Sequence, residues 1–182
     1  MMTNGSAFRL AFTGIAAFAA LALHGGAQAG AGSSGAKTTT ISAINIANTA
    51  DLDFGTMLPS LAGGTVTLDA QTGLRISAGV VLAGGTVSTG KFIGAATPGR
   101  VVTITASPSP SITLNRVGGG ATMTINQVRM SVDGGTPQPF GPNITVGPSG
   151  AILFSVGGRL NVGANQQEGV YLASFSVTMD YQ

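Results

Sequence analysis

The stretch Gly85-Thr-Val-Ser-Thr-Gly90-Lys91-Phe92 comes within one residue of a phosphate-binding loop. In such a loop, backbone amides and a lysine cradle the phosphates and a following Ser or Thr holds magnesium. Phe92 stands where that hydroxyl is needed and no helical periodicity follows, so nucleotide chemistry is not expected. Asp51 and Asp53 are two apart and share one strand face. They could begin a calcium site, but the remaining oxygen ligands of a calcium loop are missing, and a solvated strand end is the simpler reading. Asp53-Phe54-Gly55 spells a kinase tripeptide without the other kinase segments. Asn143-Ile144-Thr145 fits a glycosylation acceptor, a pattern common by chance.

General bases and nucleophiles are scarce. The chain has no Cys, and its one histidine, His24, lies in a segment expected to be removed. That takes away the usual base, the thiol nucleophile and the common zinc ligands. Carboxylates such as Asp51, Asp53, Asp69 and Glu168 remain for pairwise acid–base work on a sugar, but Trp is absent. No enzyme activity, metal or cofactor is expected.

The elements that would position any site begin with an export signal. Arg9 closes a short basic region, and Leu10 to Leu23 is apolar apart from Thr13 and Gly14. Ala27-Gln28-Ala29 then places small residues where a signal peptidase reads them, which predicts cleavage after Ala29. The run is shorter than the roughly 20 residues a bilayer span needs, and no later stretch is long enough without breaks, so no transmembrane span is expected in the mature chain. Without Arg9, seven of the eight Lys and Arg face six Asp and Glu. The cations, Lys37, Arg75, Lys91, Arg100, Arg116, Arg129 and Arg159, are scattered singly. Nucleic acids and anionic membranes call for clusters, so neither is an expected partner. Without cysteines there is no disulfide framework, and the core alone must hold the fold.

From Lys37 onward the chain is Thr, Val, Ile, Ser and Gly, interrupted every 8 to 12 residues by Gly or Pro clusters. That pattern predicts an all-β sandwich or barrel. Val66, Leu68 and Ala70 alternate with polar neighbours, as do Val102, Ile104 and Ala106, and Ile152, Phe154 and Val156. Asp133-Gly134-Gly135 suits a tight hairpin. Between Met123 and Val132 the apolar phase shifts from Met123 and Ile125 to Val128, Met130 and Val132, which predicts a bulge near Gln127. Leu61-Ala-Gly-Gly-Thr-Val-Thr67 recurs as Leu82-Ala-Gly-Gly-Thr-Val-Ser88. The expected meaning is one turn solution used twice, each time followed by a strand. At the C-terminus Tyr171, Ala173, Phe175, Val177, Met179 and Tyr181 occupy one face of a single expected strand. At the other end, Gly30 to Ala36 is a flexible lead of Gly, Ala and Ser. Thr38 to Ile46 has strand propensity without an obvious hairpin partner. It reads equally as an ordinary first strand or as a strand for another subunit.

The two ends together resemble one family. Pilins of bacterial chaperone–usher systems end in a strand of alternating apolar residues with a penultimate aromatic, here Tyr181, and a glycine fourteenth from the end, here Gly169. The N-terminal half is similar to spore-coat-U-like pilins of archaic chaperone–usher systems. Thr39-Thr-Ile-Ser-Ala-Ile-Asn-Ile46 stands in place of their extension, and Leu52-Asp-Phe-Gly55 in place of their strand start. The chain also looks like a family of small secreted bacterial proteins of unknown function, sharing Leu-Asp-Phe-Gly, Val156-Gly-Gly-Arg-Leu160 and a Gly-Val-Tyr ending. The resemblance implies an immunoglobulin-like antiparallel sandwich, either complete in itself or short of a strand that a donor supplies. It divides the chain into a signal at 1–29, an extension at 30–48 and a sandwich at 49–182. Thr39, Ile41, Ala43, Ile44 and Ile46 would line the donor strand. The implied function is an exported structural subunit of a surface fibre, with copies of itself, a periplasmic chaperone and an outer-membrane usher as partners. The other expectation is a self-complete secreted module binding a glycan or protein.

Overall fold

Thr, Val and Ile alternating with polar residues build strands throughout residues 38–182, which are described by a computed structural model. The signal segment, with Ala27 and Ala29, and residues 30–37 of the extension lie outside the described residues. No helix appears among the described residues. The strands are β1 (Asn45–Ala50), β2 (Thr56–Leu58), β3 (Gly64–Leu68), β4 (Arg75–Ala78), β5 (Val81–Gly84), β6 (Gly90–Ala95) and β7 (Val101–Ser107). After them come β8 (Ile112–Arg116), β9 (Thr122–Val132), β10 (Asn143–Thr145), β11 (Ala151–Val162), β12 (Tyr171–Leu172) and β13 (Ser176–Tyr181).

The organising strand is β11. One edge pairs with β9, and the other is divided between β6, opposite Ala151–Val156, and β3, opposite Gly158–Val162. The sheet continues outward through β1 on β6, β4 on β3, and β8 and β12 beyond β9. A second sheet, β10-β7-β13, supplies the opposing layer, and β2 pairs with β5 apart from both. All pairings are antiparallel. The layers bury Val66, Leu68, Ile152, Phe154, Val156 and Met130 from the large sheet, with Val102, Ile104 and Met179 from the small one. This is the all-β sandwich that the alternation predicts.

Local details follow from the sequence. Gly157 pairs with Arg129 and Arg159 with Asn126, which leaves Gln127 and Val128 together opposite Gly158. Gln127 takes φ 51°, so the bulge re-phases β9 between buried Ile125 and buried Val128 and Met130. Asp133 and Gly134 both have positive φ, and the Gly135 N–H donates to Val132 O at 2.8 Å, closing the expected tight turn.

Three expectations change. The run from Tyr171 to Tyr181 is not one strand. Its first part, β12, pairs with β8 in the large sheet, Ala173–Phe175 leave the ladder, and β13 pairs with β7 in the small one. The chain changes layers there, and side-chain alternation alone does not report such a crossing. The two Leu-Ala-Gly-Gly-Thr-Val copies also diverge. The first leads into β3, whereas in the second β5 ends at Gly84 and only Ser88 bridges back, to Asp53. The third change concerns Thr38–Ile46. Asn45–Ala50 pair with β6 of their own chain, so residues 45–48 belong to the sandwich and not to the free extension.

Candidate strand-accepting groove

β1 and β13 form two neighbouring edges. Among the described residues β1 pairs only with β6, and β13 only with β7. Three contacts show how they face each other. Phe175 sets its ring edge against Phe92, the partner of Asn48, at 6.1 Å between centroids. The Met179 tail lies against Gly94, the partner of Ile46. The Tyr181 hydroxyl reaches Ser42. Rising numbers on β13 therefore meet falling numbers on β1, and the two strands run in opposite directions across the space between them.

That space is a groove of about 680 Å³ lined by Ile41–Ile44, Ile46 and Val177–Tyr181. Val177 and Tyr181 are half-buried and pack on the core, and Met179 is buried. Ser176, Thr178 and Asp180 face outward, where the Thr178 hydroxyl pairs with that of Thr105 at 2.7 Å. Among the described residues Asp180 is the only charged one in the lining, which mixes apolar Ile41, Ile44, Ile46, Val177 and Met179 with polar Ser42 and Thr178, and the facing edges of β1 and β13 have no ladder partner there.

One end of the groove is tied by side chains. The Tyr181 hydroxyl accepts from the Thr97 N–H at 2.8 Å and donates to the Ser42 carbonyl at 2.8 Å. The Ser42 N–H donates to Thr97 Oγ1 at 2.7 Å. The Ser42 N–H is thereby held against the loop between β6 and β7, and its carbonyl against the end of β13. Tyr181 was expected to contribute apolar surface; its phenol proves to be the polar handle of this knot. Nothing in the sequence pattern points to Thr97 or Ser42.

The other expected donor residues divide. Thr39, Ile41 and Ala43 are exposed, whereas Ile44 and Ile46 are half-buried against the core of their own chain. Of the C-terminal set, Phe175, Val177, Met179 and Tyr181 come together at or beside the groove and Ala173 is exposed. Tyr171 lies elsewhere, its hydroxyl donating to Gln167 O at 2.6 Å and accepting from Gln166 Nε2 at 2.7 Å. Gly169 also lies away from the groove. It takes φ 142°, and a Cβ there would stand 2.8 Å from Arg116 Nε. The Leu-Asp-Phe-Gly start is a structural corner. Phe54 is buried, the Asp53 carboxylate accepts the Gly55 N–H at 2.8 Å, and Arg75 Nη1 donates to Phe54 O at 2.8 Å.

The acidic candidates do not converge. Among the described residues no group of three or more His, Cys, Asp or Glu could hold a metal ion. The Asp69 carboxyl is held below the usual range, chiefly by the Thr72 N–H, against the opposing effect of burial, with the Thr72 hydroxyl and the Gln71 N–H adding to the lowering. It organises its own turn. Lys91, the lysine of the phosphate-loop lookalike, sits within β6, and no helix follows it.

Neither a comparison with curated proteins nor one with solved structures returns a match. The family model described as a domain of unknown function, DUF4402, covers residues 44–181, and the chain belongs to that family.

Proposed function

We propose that this chain is an exported structural subunit that assembles by strand addition, the segment ahead of β1 in one copy filling the groove between β1 and β13 of another. The observation that carries this reading is the groove itself, with two adjacent strand edges that have no partner among the described residues, over a floor of Ile46, Val177, Met179 and Tyr181. An exposed edge above apolar side chains is a template for a further strand, and strand addition uses main-chain hydrogen bonds for affinity. The family domain begins at residue 44, so the Gly, Ala, Ser and Thr lead stands outside it, as a donor segment would. In this reading the signal peptide delivers the chain across the inner membrane. A periplasmic chaperone covers the groove until an outer-membrane usher exchanges it for the next subunit's lead.

A second reading is favoured by one observation. Ile41–Ile44 already line the groove of their own chain, which suits a self-complete secreted binding module. The two are separated by size-exclusion chromatography with light scattering over a concentration series, on the chain starting at Gly30 and on one starting at Ser42. The assembly reading expects concentration-dependent multimers, and fibres by electron microscopy, from the longer chain only. A longer chain that stays monomeric throughout would refute it in favour of the module.

A further inference from the structure

We infer that the outer face of the large sheet carries an anion-binding pocket, built around Arg129 and Arg159 and suited to the carboxylate of a sugar acid. The pocket shares no residue with the groove between β1 and β13, and it does not depend on the strand-addition reading.

Its cations are brought together by the bulge in β9. Arg129 stands opposite Gly157 and Asn126 opposite Arg159, and residues directly opposite in an antiparallel pair share a face. In a regular strand positions 126 and 129 would point to opposite faces, so it is the extra residue at Gln127 that turns both to the side of Arg159. Ile125, Val128, Met130, Val156 and Leu160 of the same two strands are buried in the core, which places the two arginines on the side away from it. Two loops wall that side. The turn after β3 crosses over Gly157, where an added Cβ would stand 2.8 Å from Ala70 N. The loop after β9 returns through the Met130–Gln138 bridge, which sets Pro137 beside Arg129. Gln71 Nε2 donates to Gly134 O at 2.7 Å and ties one loop to the other. The space they enclose is about 130 Å³, with Thr67, Asp69 and Gln127 as its further polar lining.

Charge and hydrogen bonding select the ligand. Arg159 Nε is buried without a hydrogen-bond partner among the described residues, and so is Asn126 Oδ1 in the facing position. A buried donor left unpaired is costly, and a carboxylate accepting side-on from Nε and a terminal nitrogen of the guanidinium fork supplies what the protein withholds. Two guanidinium charges against the one carboxylate of Asp69 leave a single net positive charge, which complements a monoanion better than a phosphate dianion. Asp69 Oδ1 already accepts from the Gln71 N–H, the Thr72 N–H and the Thr72 hydroxyl, so Oδ2 is the atom left to take a hydroxyl next to the ligand's carboxylate. A carboxylate flanked by hydroxyls is the chemistry of a sugar acid. The volume is well under the roughly 300–1,000 Å³ of a pocket that engulfs a drug-sized ligand, so the acid group and its nearest carbons enter while the ring stays outside. Both a free sugar acid and the acidic residue of a glycan meet that description.

Titration calorimetry with glucuronate, a glucuronate oligomer, glucose, acetate and inorganic phosphate tests the pocket. Glucuronate is expected to bind more tightly than acetate or phosphate, and glucose not at all. Arg129→Gln and Arg159→Gln should each weaken glucuronate binding about tenfold or more, the loss of one charge-assisted hydrogen-bonding group. Arg159→Lys keeps the charge and loses the fork, and should fall between the parent and Arg159→Gln. Arg100→Gln, at an exposed arginine outside the pocket, should leave binding unchanged. Asp69→Asn should narrow the preference for glucuronate over phosphate. Tighter binding of the oligomer supports the pocket with a glycan as its source, and equal binding supports it with the free acid. Phosphate binding as tightly as glucuronate would overturn the inference, as would glucuronate binding indifferent to both arginine-to-glutamine changes. So would an absence of binding at about 10 mM glucuronate, where even a site of millimolar Kd is mostly filled. Should Arg159→Gln fail to fold, Arg129→Gln, at an exposed position, carries the test.

Discussion

The floor of the groove can be tested by a pair of substitutions whose effects should not add. Gly94 in β6 is buried beneath the Met179 tail, and a methyl placed there would sit 2.8 Å from Met179 Cε and 3.1 Å from Sδ. Its backbone does not take a positive φ, so alanine is sterically allowed on the main chain and should gain about 0.4–1 kcal/mol through the unfolded state. Against this stands overpacking at about 1–3 kcal/mol, reduced because an unbranched methionine can swing aside. Gly94→Ala should therefore be roughly neutral to 2 kcal/mol destabilising, with the displaced tail pushed into the groove. Met179→Ala removes a side chain only 5% exposed, and should cost about 2–3 kcal/mol, the low end for such truncations, because the site borders an open trough that can relax. In the double variant the new methyl occupies space the methionine has left. The combined cost should fall about 1 kcal/mol or more short of the sum, beyond the few tenths expected for independent sites. Urea unfolding of the four proteins, extrapolated to water, measures the cycle. Additivity within about 0.5 kcal/mol would refute the packing of Met179 on Gly94 and with it the account of the groove floor.

Two further outcomes follow from sites away from the groove. Gly169→Ala should lower the melting temperature by roughly 3–10 °C, the equivalent of about 1–3 kcal/mol in a domain of this size. The strain at φ 142° adds to a clash with Arg116, whose guanidinium cannot swing away without losing Glu168 O at 2.6 Å and Gly119 O at 3.2 Å. Asp69→Asn should flatten the acid limb of the stability profile. The folded pKa of Asp69 is depressed, so its contribution is complete above the unfolded value of about 3.9 and is lost as pH falls toward the lower folded value. Urea midpoints should show the variant less stable near neutrality and the difference closing as pH falls below the unfolded value of about 3.9, and a gap that does not narrow there would contradict the assignment.

What the sequence revealed was whatever side-chain periodicity encodes. Alternation located the cores of β3, β7 and β11, and the change of phase in β9 located the bulge at Gln127. Pairing partners and layer changes have no such signature. Alternation through Tyr171–Tyr181 is uninterrupted although Ala173–Phe175 carry the chain from one sheet to the other. The groove was half legible. Val177, Met179 and Tyr181 came from the apolar pattern, but Gly94, Thr97 and Ser42 matter through one close approach and three hydrogen bonds between residues more than 50 positions apart. A lone Thr in a loop carries no local mark of that role. Ile44 and Ile46 have the composition expected of a donor strand, and only the register with β6 shows that they complete their own sheet.

That register alters the energetics of the proposed assembly. With Ile44 and Ile46 packed on their own core and Ser42 held by the knot, the lead that the proposed assembly would use ends at Ile41, its one large apolar side chain. Ile41 is 48% exposed in the single subunit, so burying it fully recovers only part of the roughly 1.5–3 kcal/mol that a complete burial is worth. The threonines bring β propensity and little apolar area, and ordering each residue of the lead costs about 1–2 kcal/mol. Side chains therefore cannot drive the exchange. The main-chain ladder along β13 and the exclusion of water from Val177, Met179 and Tyr181 must carry it. Contacts dominated by backbone tolerate many donor sequences and bind weakly unless the strand is prealigned. A root pinned by Tyr181 and four β-branched residues beyond it are what prealignment requires, because they reduce the freedom the lead loses on docking. In the proposed assembly the knot therefore lowers the entropy cost of reaching the next subunit.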